Sequence, residues 1–173
     1  RYQAKDSLDR FVNTTITPSV GPPPTPLASP DAITTDYDTN QTYTPLGNDT
    51  RGAADFPLLA SSVKLCGIDP VQTPNNCTQT SLTVPGEGTY TVNSDGTVTF
   101  DPLPTFSGTA TAVTYQVADS LGQVTSSTIT PTVYAPPNAV NDTSSGNYDT
   151  DQLINPLSND VDGSGTIDPT TVK

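Results

Sequence analysis

Apolar and polar residues alternate along several short stretches of this chain, as they do in strands with one buried face. Tyr90 and Val92 alternate with polar neighbours, a Ser-Asp-Gly run follows, and the alternation resumes at Val98 and Phe100. Two alternating stretches joined by such a run predict a β-hairpin.

A second hairpin is predicted over residues 111–133, with its turn at 119–122. One face of this hairpin is predicted to hold five apolar residues, namely Val113, Tyr115, Val117, Ile129 and Val133. Weaker strand signals fall at 31–37, 41–46, 61–66 and 80–85. About seven short strands with frequent turns predict an all-β fold, an antiparallel immunoglobulin-like β-sandwich. No stretch sustains a helical period.

The chain also repeats itself. Residues 1–20 match 114–133 at ten of twenty positions, and residues 36–49 match 147–160 at eight of fourteen. The two matches have nearly the same offset, so one repeat is about 110 residues long.

This spacing predicts four segments. Residues 1–20 are the C-terminal hairpin of a preceding repeat, and 21–30 are a Pro-rich linker. Residues 27–133 are one complete repeat, and 134–173 are a linker and the N-terminal part of a following repeat. We therefore expect the chain to be a window on a longer array, whose Pro-rich linkers act as semi-rigid spacers.

Composition narrows the functional classes. The net charge of −12 argues against a nucleic-acid partner, and the lack of a long apolar run argues against membrane insertion in this segment. The chain has no histidine, which excludes Ser-His, Cys-His and His-metal mechanisms. We expect no enzyme activity and no cofactor other than the calcium considered below. Any export signal is expected to lie outside this segment.

Two cysteines, Cys66 and Cys77, bracket a loop rich in Pro and Asn. No histidine or further cysteine can complete a metal site with them, and the spacing excludes a CxxC redox motif. The sequence therefore predicts a disulfide and an extracellular or cell-surface location, with two free buried thiols as the alternative.

One stretch is similar to a calcium-binding loop. Asp160, Asp162, Ser164 and Asp168 fall at positions 1, 3, 5 and 9 of an EF-hand-like pattern, but Thr171 stands where a bidentate glutamate is expected. A polar turn is the alternative interpretation. The complete repeat has Arg51 opposite Asp162, which disfavours a calcium site common to all repeats.

Other acidic residues have ordinary interpretations. Asp31 and Asp142 follow the linkers and Asp119 lies in a predicted hairpin turn, where Asx-turn hydrogen bonding is expected and a shared junction calcium is the alternative. Glu87 is the one glutamate and, with Lys64, an isopeptide candidate. Its surroundings, Pro-Gly-Glu-Gly, indicate an exposed turn instead.

The order of these motifs resembles a known family. Each repeat opens with PxAxxD, continues to PLxND, and the complete repeat then reads GTYTVNSDGTVTFDP and VTYQVADSLGQVTSSTITPTV. This pattern resembles the CshA-type fibril repeat of bacterial surface adhesins. The resemblance implies a β-sandwich stalk module without catalytic residues, whose partners are the neighbouring repeats and whose surface ligand is unknown. A filament subunit joined by strand donation and a module that binds a host or partner-cell ligand directly are the alternatives.

Overall fold

The computed structural model describes residues 1–67, 77–163 and 165–173. The loop between the two cysteines and Ser164, one of the predicted calcium ligands, lie outside these residues. Within the described ranges the helical structure consists of three short 3-10 turns, at Pro45–Gly47, Ala60–Ser62 and Pro169–Thr171. None of them has the length or apolar character of a membrane-crossing helix.

The strands give the chain its architecture. In chain order they are β1 (Tyr2–Lys5), β2 (Phe11–Thr14), β3 (Asp31–Thr35), β4 (Gln41–Tyr43), β5 (Lys64–Gly67), β6 (Ser81–Val84), β7 (Gly88–Val92), β8 (Val98–Pro102), β9 (Gly108–Thr109), β10 (Val113–Ala118) and β11 (Val124–Val133). Strands β1 and β2 form a separate two-stranded hairpin. The all-β class predicted from the sequence is confirmed.

The remaining strands form two sheets that share one core. The first sheet has the order β3-β11-β10-β5, with β9 also paired to β11, and the second has the order β4-β8-β7-β6. Both sheets contribute to one apolar cluster, which includes Leu65, Tyr115 and Ile129 from the first and Tyr90 and Phe100 from the second. Each such side chain contributes about 1.5–3 kcal/mol by leaving water. The two sheets therefore make a β-sandwich.

Both predicted hairpins are present. Strands β7 and β8 pair Tyr90 with Phe100, whose ring centroids lie 4.7 Å apart. Gly96 closes their turn with a φ of +83°, a conformation that costs glycine little. Strands β10 and β11 pair Val113 with Ile129 on the buried face.

One pairing differs from the antiparallel prediction. Strand β3 runs parallel to β11, from Asp31 beside Ile129 to Thr35 beside Val133. No tight turn links these two strands because the rest of the sandwich lies between them in sequence, so a parallel arrangement is available. As a result, the chain enters this sheet at one end and leaves it at the other. The immunoglobulin-like topology itself stays a prediction.

Pro131 lies inside β11, a position that strand rules disfavour because proline cannot donate to the ladder. The partner of β11 changes at this point, since β10 pairs with it as far as Ile129 and β9 pairs with it from Thr132. The carbonyl of Pro131 accepts a hydrogen bond from the Ala110 N–H at 2.8 Å. The N–H that Pro131 lacks would therefore lie at the point where the antiparallel partner of β11 changes from β10 to β9.

Candidate functional site

The entry end of the complete repeat holds the linker by hydrogen bonds. Leu27 and Thr50 exchange two backbone hydrogen bonds, with N–O distances of 2.9 and 2.8 Å. The N–H of Ser29 donates to Asp49 Oδ1 at 2.8 Å, and Asn48 Nδ2 donates to the carbonyl of Pro30 at 3.1 Å. The last residues of the linker are thus fixed to the segment that follows β4.

A glycine supports the linker at the same end. A Cβ atom added to Gly52 would lie 2.0 Å from the carbonyl oxygen of Pro24, far inside van der Waals contact. The linker backbone therefore packs directly on the Gly52 backbone, an approach that a side chain would prevent.

The next junction, one repeat further along the chain, has the same construction. The equivalent contacts are the exchange of backbone hydrogen bonds between Asn138 and Val161, the bond from Val140 N to Asp160 Oδ1, the bond from Asn159 Nδ2 to the Asn141 carbonyl, and the approach of the Ala135 carbonyl to Gly163. The hydrogen bonds among them are between 2.7 and 3.3 Å long. Two successive linkers are therefore docked in the same way.

The hairpin of β1 and β2 reproduces that of β10 and β11. Tyr2 pairs with Thr14 as Tyr115 pairs with Ser127, so the two hairpins have the same register. In each turn an aspartate Oδ1 accepts backbone hydrogen bonds from the residues two and four positions later. These Asx-type bonds are the role expected for Asp119.

A carboxyl pair, Asp31 and Asp49, lies beside the docked linker. The Tyr115 hydroxyl lies 2.9 Å from both carboxylate oxygens of Asp49, while Asp31 Oδ2 is buried and accepts no hydrogen bond. Burial and then the nearby charge of Asp49 raise the pKa of Asp31 to about 6. Burial also raises the pKa of Asp49. Ionisation of these two carboxyl groups therefore opposes folding.

At the end where the chain leaves the sandwich, the pairing of β3 with β11 continues by one more hydrogen bond. The Tyr134 N–H donates to the Thr35 carbonyl at 3.0 Å, directly after the last β3–β11 pair. The chain thus leaves along the direction of β11, at the end opposite to the linker contacts of Leu27.

Comparison with known families identifies this architecture. The family model described as the surface adhesin CshA repetitive domain matches residues 23–133. The chain belongs to this family. No curated protein and no solved structure matched the chain. The resemblance drawn from the sequence motifs is therefore confirmed, and the matched family is one of surface adhesin repeats.

The predicted calcium ligands of this CshA-type chain are engaged in local hydrogen bonds. Asp160 accepts from Val140 N, Asp162 from Ile167 N at 2.9 Å, and Asp168 from Thr170 N at 2.8 Å. Asp160 and Asp168 line one shallow cleft. Among the described residues, no group of three or more acidic or cysteine side chains is placed to hold a metal ion. Calcium at this loop, which includes the undescribed Ser164, stays a prediction.

The other predicted site residues fall within the complete repeat. A disulfide joins Cys66 of β5 to Cys77, with the Cα atoms 4.0 Å apart. Glu87 is partly exposed, and its carboxylate binds the N–H and hydroxyl of Thr111 at 2.6 and 2.7 Å. Its carboxylate ties the β6–β7 turn to the segment that precedes β10.

Sequence reasoning missed the residues that dock the linker. Asn48 is the Asn of the PLxND motif, but that motif gives no sign of a contact with the linker, and Gly52 belongs to no motif. Both residues act on backbone atoms of the linker. Each recurs in the following repeat at the same offset, as Asn159 and Gly163. That internal repetition was the available signal.

Proposed function

We propose that this chain is a structural stalk segment of a cell-surface adhesive fibre, in which each repeat spaces and stiffens the fibre. The observation that carries the proposal is the pair of matching linker junctions, at Leu27–Thr50 and at Asn138–Val161. A flexible tether would need no such contacts, whereas a rod needs the same ones at every joint.

The strand order supports this role. Because β3 and β11 are parallel, entry and exit lie at opposite ends of the sandwich. Repeats joined in this way extend the chain and do not fold it back. Strand β11 has 10 residues, so each repeat adds about 33 Å along that direction at about 3.3 Å per residue.

The charge supports it as well. The net charge of −12 comes from 18 acidic and six basic residues. Like-charged fibres repel each other, which keeps neighbouring stalks apart on a crowded surface. The family assignment supports a cell-surface or extracellular location for such a stalk.

The proposal is tested by removing one whole repeat, residues 27–137, from the full-length surface protein. Fibre length is measured by electron microscopy of the cells, and adhesion is measured with the rest of the surface protein unchanged. We expect the fibre to shorten by about 3–4 nm, since β11 spans about 3.3 nm, while binding per molecule is unchanged.

A duplication of the same segment serves as the matched control and should lengthen the fibre equally. Loss of binding without a change in length would overturn the stalk role and would favour a module that binds its ligand directly. Filaments that fail to form when the repeat is deleted would favour the strand-donating subunit.

A further inference from the structure

The β10–β11 turn contains two buried oxygen atoms without partners. Asp119 is 1% exposed; its Oδ1 accepts hydrogen bonds from Leu121 N and Gln123 N, but its Oδ2 accepts none. Gln123 Oε1 is also buried without a partner. Two unpartnered acceptors in one turn are costly, because a buried carboxylate oxygen without a donor or cation has lost its water.

The equivalent turn in the preceding repeat supplies the missing partner. Asp6 is the counterpart of Asp119, and Arg10 is the counterpart of Gln123, in the same alignment that matches 1–20 to 114–133. The Arg10 guanidinium contacts Asp6 Oδ2, with Nε at 2.7 Å and Nη2 at 2.6 Å. The equivalent carboxylate oxygen is thus paired with a guanidinium in one repeat and has no partner in the next.

We propose that the Asp119–Gln123 turn binds a hard metal cation of the Ca²⁺ class, in the place that a guanidinium occupies in the equivalent turn. A carboxylate oxygen and an amide oxygen are both ligands that Ca²⁺ accepts, and backbone carbonyls or water complete such sites. The residues of the turn between Asp119 and Gln123, namely Ser120, Leu121 and Gly122, are exposed to solvent.

The position gives the ion a structural role. The segment before β5 closes over the turn, since Ser120 N donates to the Pro57 carbonyl and Leu59 N donates to the Ala118 carbonyl, both at 2.9 Å. The linker lies at the same end of the sandwich, because Ala28 N donates to the hydroxyl of Thr125 in β11. A cation here would stabilise the end of the repeat that receives the preceding one. This inference rests on the turn alone and not on the stalk function.

The test measures thermal unfolding of the full 173-residue chain. The protein is first treated with EDTA and then compared in millimolar CaCl₂, in MgCl₂ and in NaCl of equal ionic strength. We expect the melting temperature to rise by a few degrees in Ca²⁺, because a ligand that binds only the folded state stabilises it. The rise in Mg²⁺ should be smaller, since Mg²⁺ gives up its water reluctantly.

Two variants locate the ion. Gln123→Arg should raise the melting temperature in EDTA and remove the Ca²⁺ response, because the guanidinium then fills the site as Arg10 does. Asp119→Asn keeps the Oδ1 acceptor for both N–H groups and replaces the unpartnered Oδ2 with an NH₂ donor. It should fold without the ion and no longer respond to Ca²⁺.

Two controls keep the result specific. Asp95→Asn makes the same charge change in an exposed turn, where Asp95 Oδ1 accepts from Thr97 N, and should keep the full response. The double variant Asp160→Ala, Asp162→Ala should also keep it. The proposal is overturned if no variant differs from the parent chain or if NaCl gives the same rise in melting temperature. It is also overturned if the double variant at Asp160 and Asp162 loses the Ca²⁺ response while the Asp119 and Gln123 variants keep it. A loss of stability in Gln123→Arg with no Ca²⁺ effect in the parent chain also overturns it, because the Gln123 amide would then be the donor to Asp119.

Discussion

The complete repeat and its partial copies share their local hydrogen bonds and differ in burial. The turns at Asp6 and Asp119 and the junctions at Asp49 and Asp160 have equivalent contacts. Ile129, however, is 0% exposed, whereas its counterpart Ile16 is 70% exposed. The turns and linker contacts therefore depend on partners that are near in sequence, and they form without the rest of the sandwich.

Burial in the core, by contrast, depends on segments that are distant in sequence. Tyr115 is buried because β5 and the opposite sheet cover it, and the counterpart of those elements is not beside Tyr2. Burial of apolar area is the largest stabilising contribution, so most of the folding free energy must reside in the complete repeat.

The largest contrast is expected between Ile129→Ala and Ile16→Ala. Removing three methyl and methylene groups from a filled core costs about 2–5 kcal/mol, so Ile129→Ala should strongly lower the free energy of unfolding. Ile16→Ala should leave the main transition unchanged. Urea unfolding followed by circular dichroism measures both. Equal losses would show that the hairpin at 1–20 packs on the complete repeat.

Reduction of the Cys66–Cys77 disulfide should have the next largest effect. The bond links residues 11 positions apart, and closing a loop of this size stabilises by about 3 kcal/mol through the unfolded chain. We expect the unfolding midpoint of the complete repeat to fall after reduction. Alkylation followed by mass spectrometry of the native, unreduced protein should find no free thiol, and two modified cysteines would contradict the bond.

Gly52→Ala should disturb the linker. Its new methyl group would overlap the Pro24 carbonyl, and overpacking of this kind costs about 1–3 kcal/mol. We expect a lower midpoint and faster proteolytic cleavage within residues 21–26.

Gly47→Ala is the matched control. A methyl group at Gly47 meets nothing within 4 Å, so this change should be neutral or stabilise by about 0.4–1 kcal/mol. If both variants behaved alike, the linker would not be held by Gly52 in solution.

Sequence patterns predicted the strands well because alternation reports directly on the buried face of a sheet. Tyr90, Phe100, Val113 and Val117 were placed on inward faces and are all buried. The β3–β11 pairing was missed because its partners lie at opposite ends of the repeat, and no local pattern encodes which distant strands pair. The linker contacts were missed for a related reason, since Asn48 and Gly52 act through the backbone of another segment.

The smallest predicted effect concerns the carboxyl pair, where Asp31→Asn should stabilise the protein at neutral pH. The pKa of Asp31 is about 6 in the folded state against an ordinary value of 3.8, so the folded state binds the proton more tightly. Stability therefore falls as the pH rises from about 4 to about 6, and the whole cost is present at pH 7. A shift of about two pH units corresponds to about 3 kcal/mol, of which we expect about 1 kcal/mol because Asp31 keeps part of its solvent.

The pH profile separates this explanation from a general effect of charge. Asp31→Asn should raise the free energy of unfolding at pH 7 and have little effect near pH 4, where the native carboxyl is already protonated. Asp142 is the repeat counterpart of Asp31 but is exposed, and Asp142→Asn changes the net charge equally. It should leave both values unchanged, because an exposed carboxylate keeps its water whether or not the chain is folded. Equal stabilisation by both variants at pH 7 would mean that the chain's overall negative charge, and not burial beside Asp49, opposes folding.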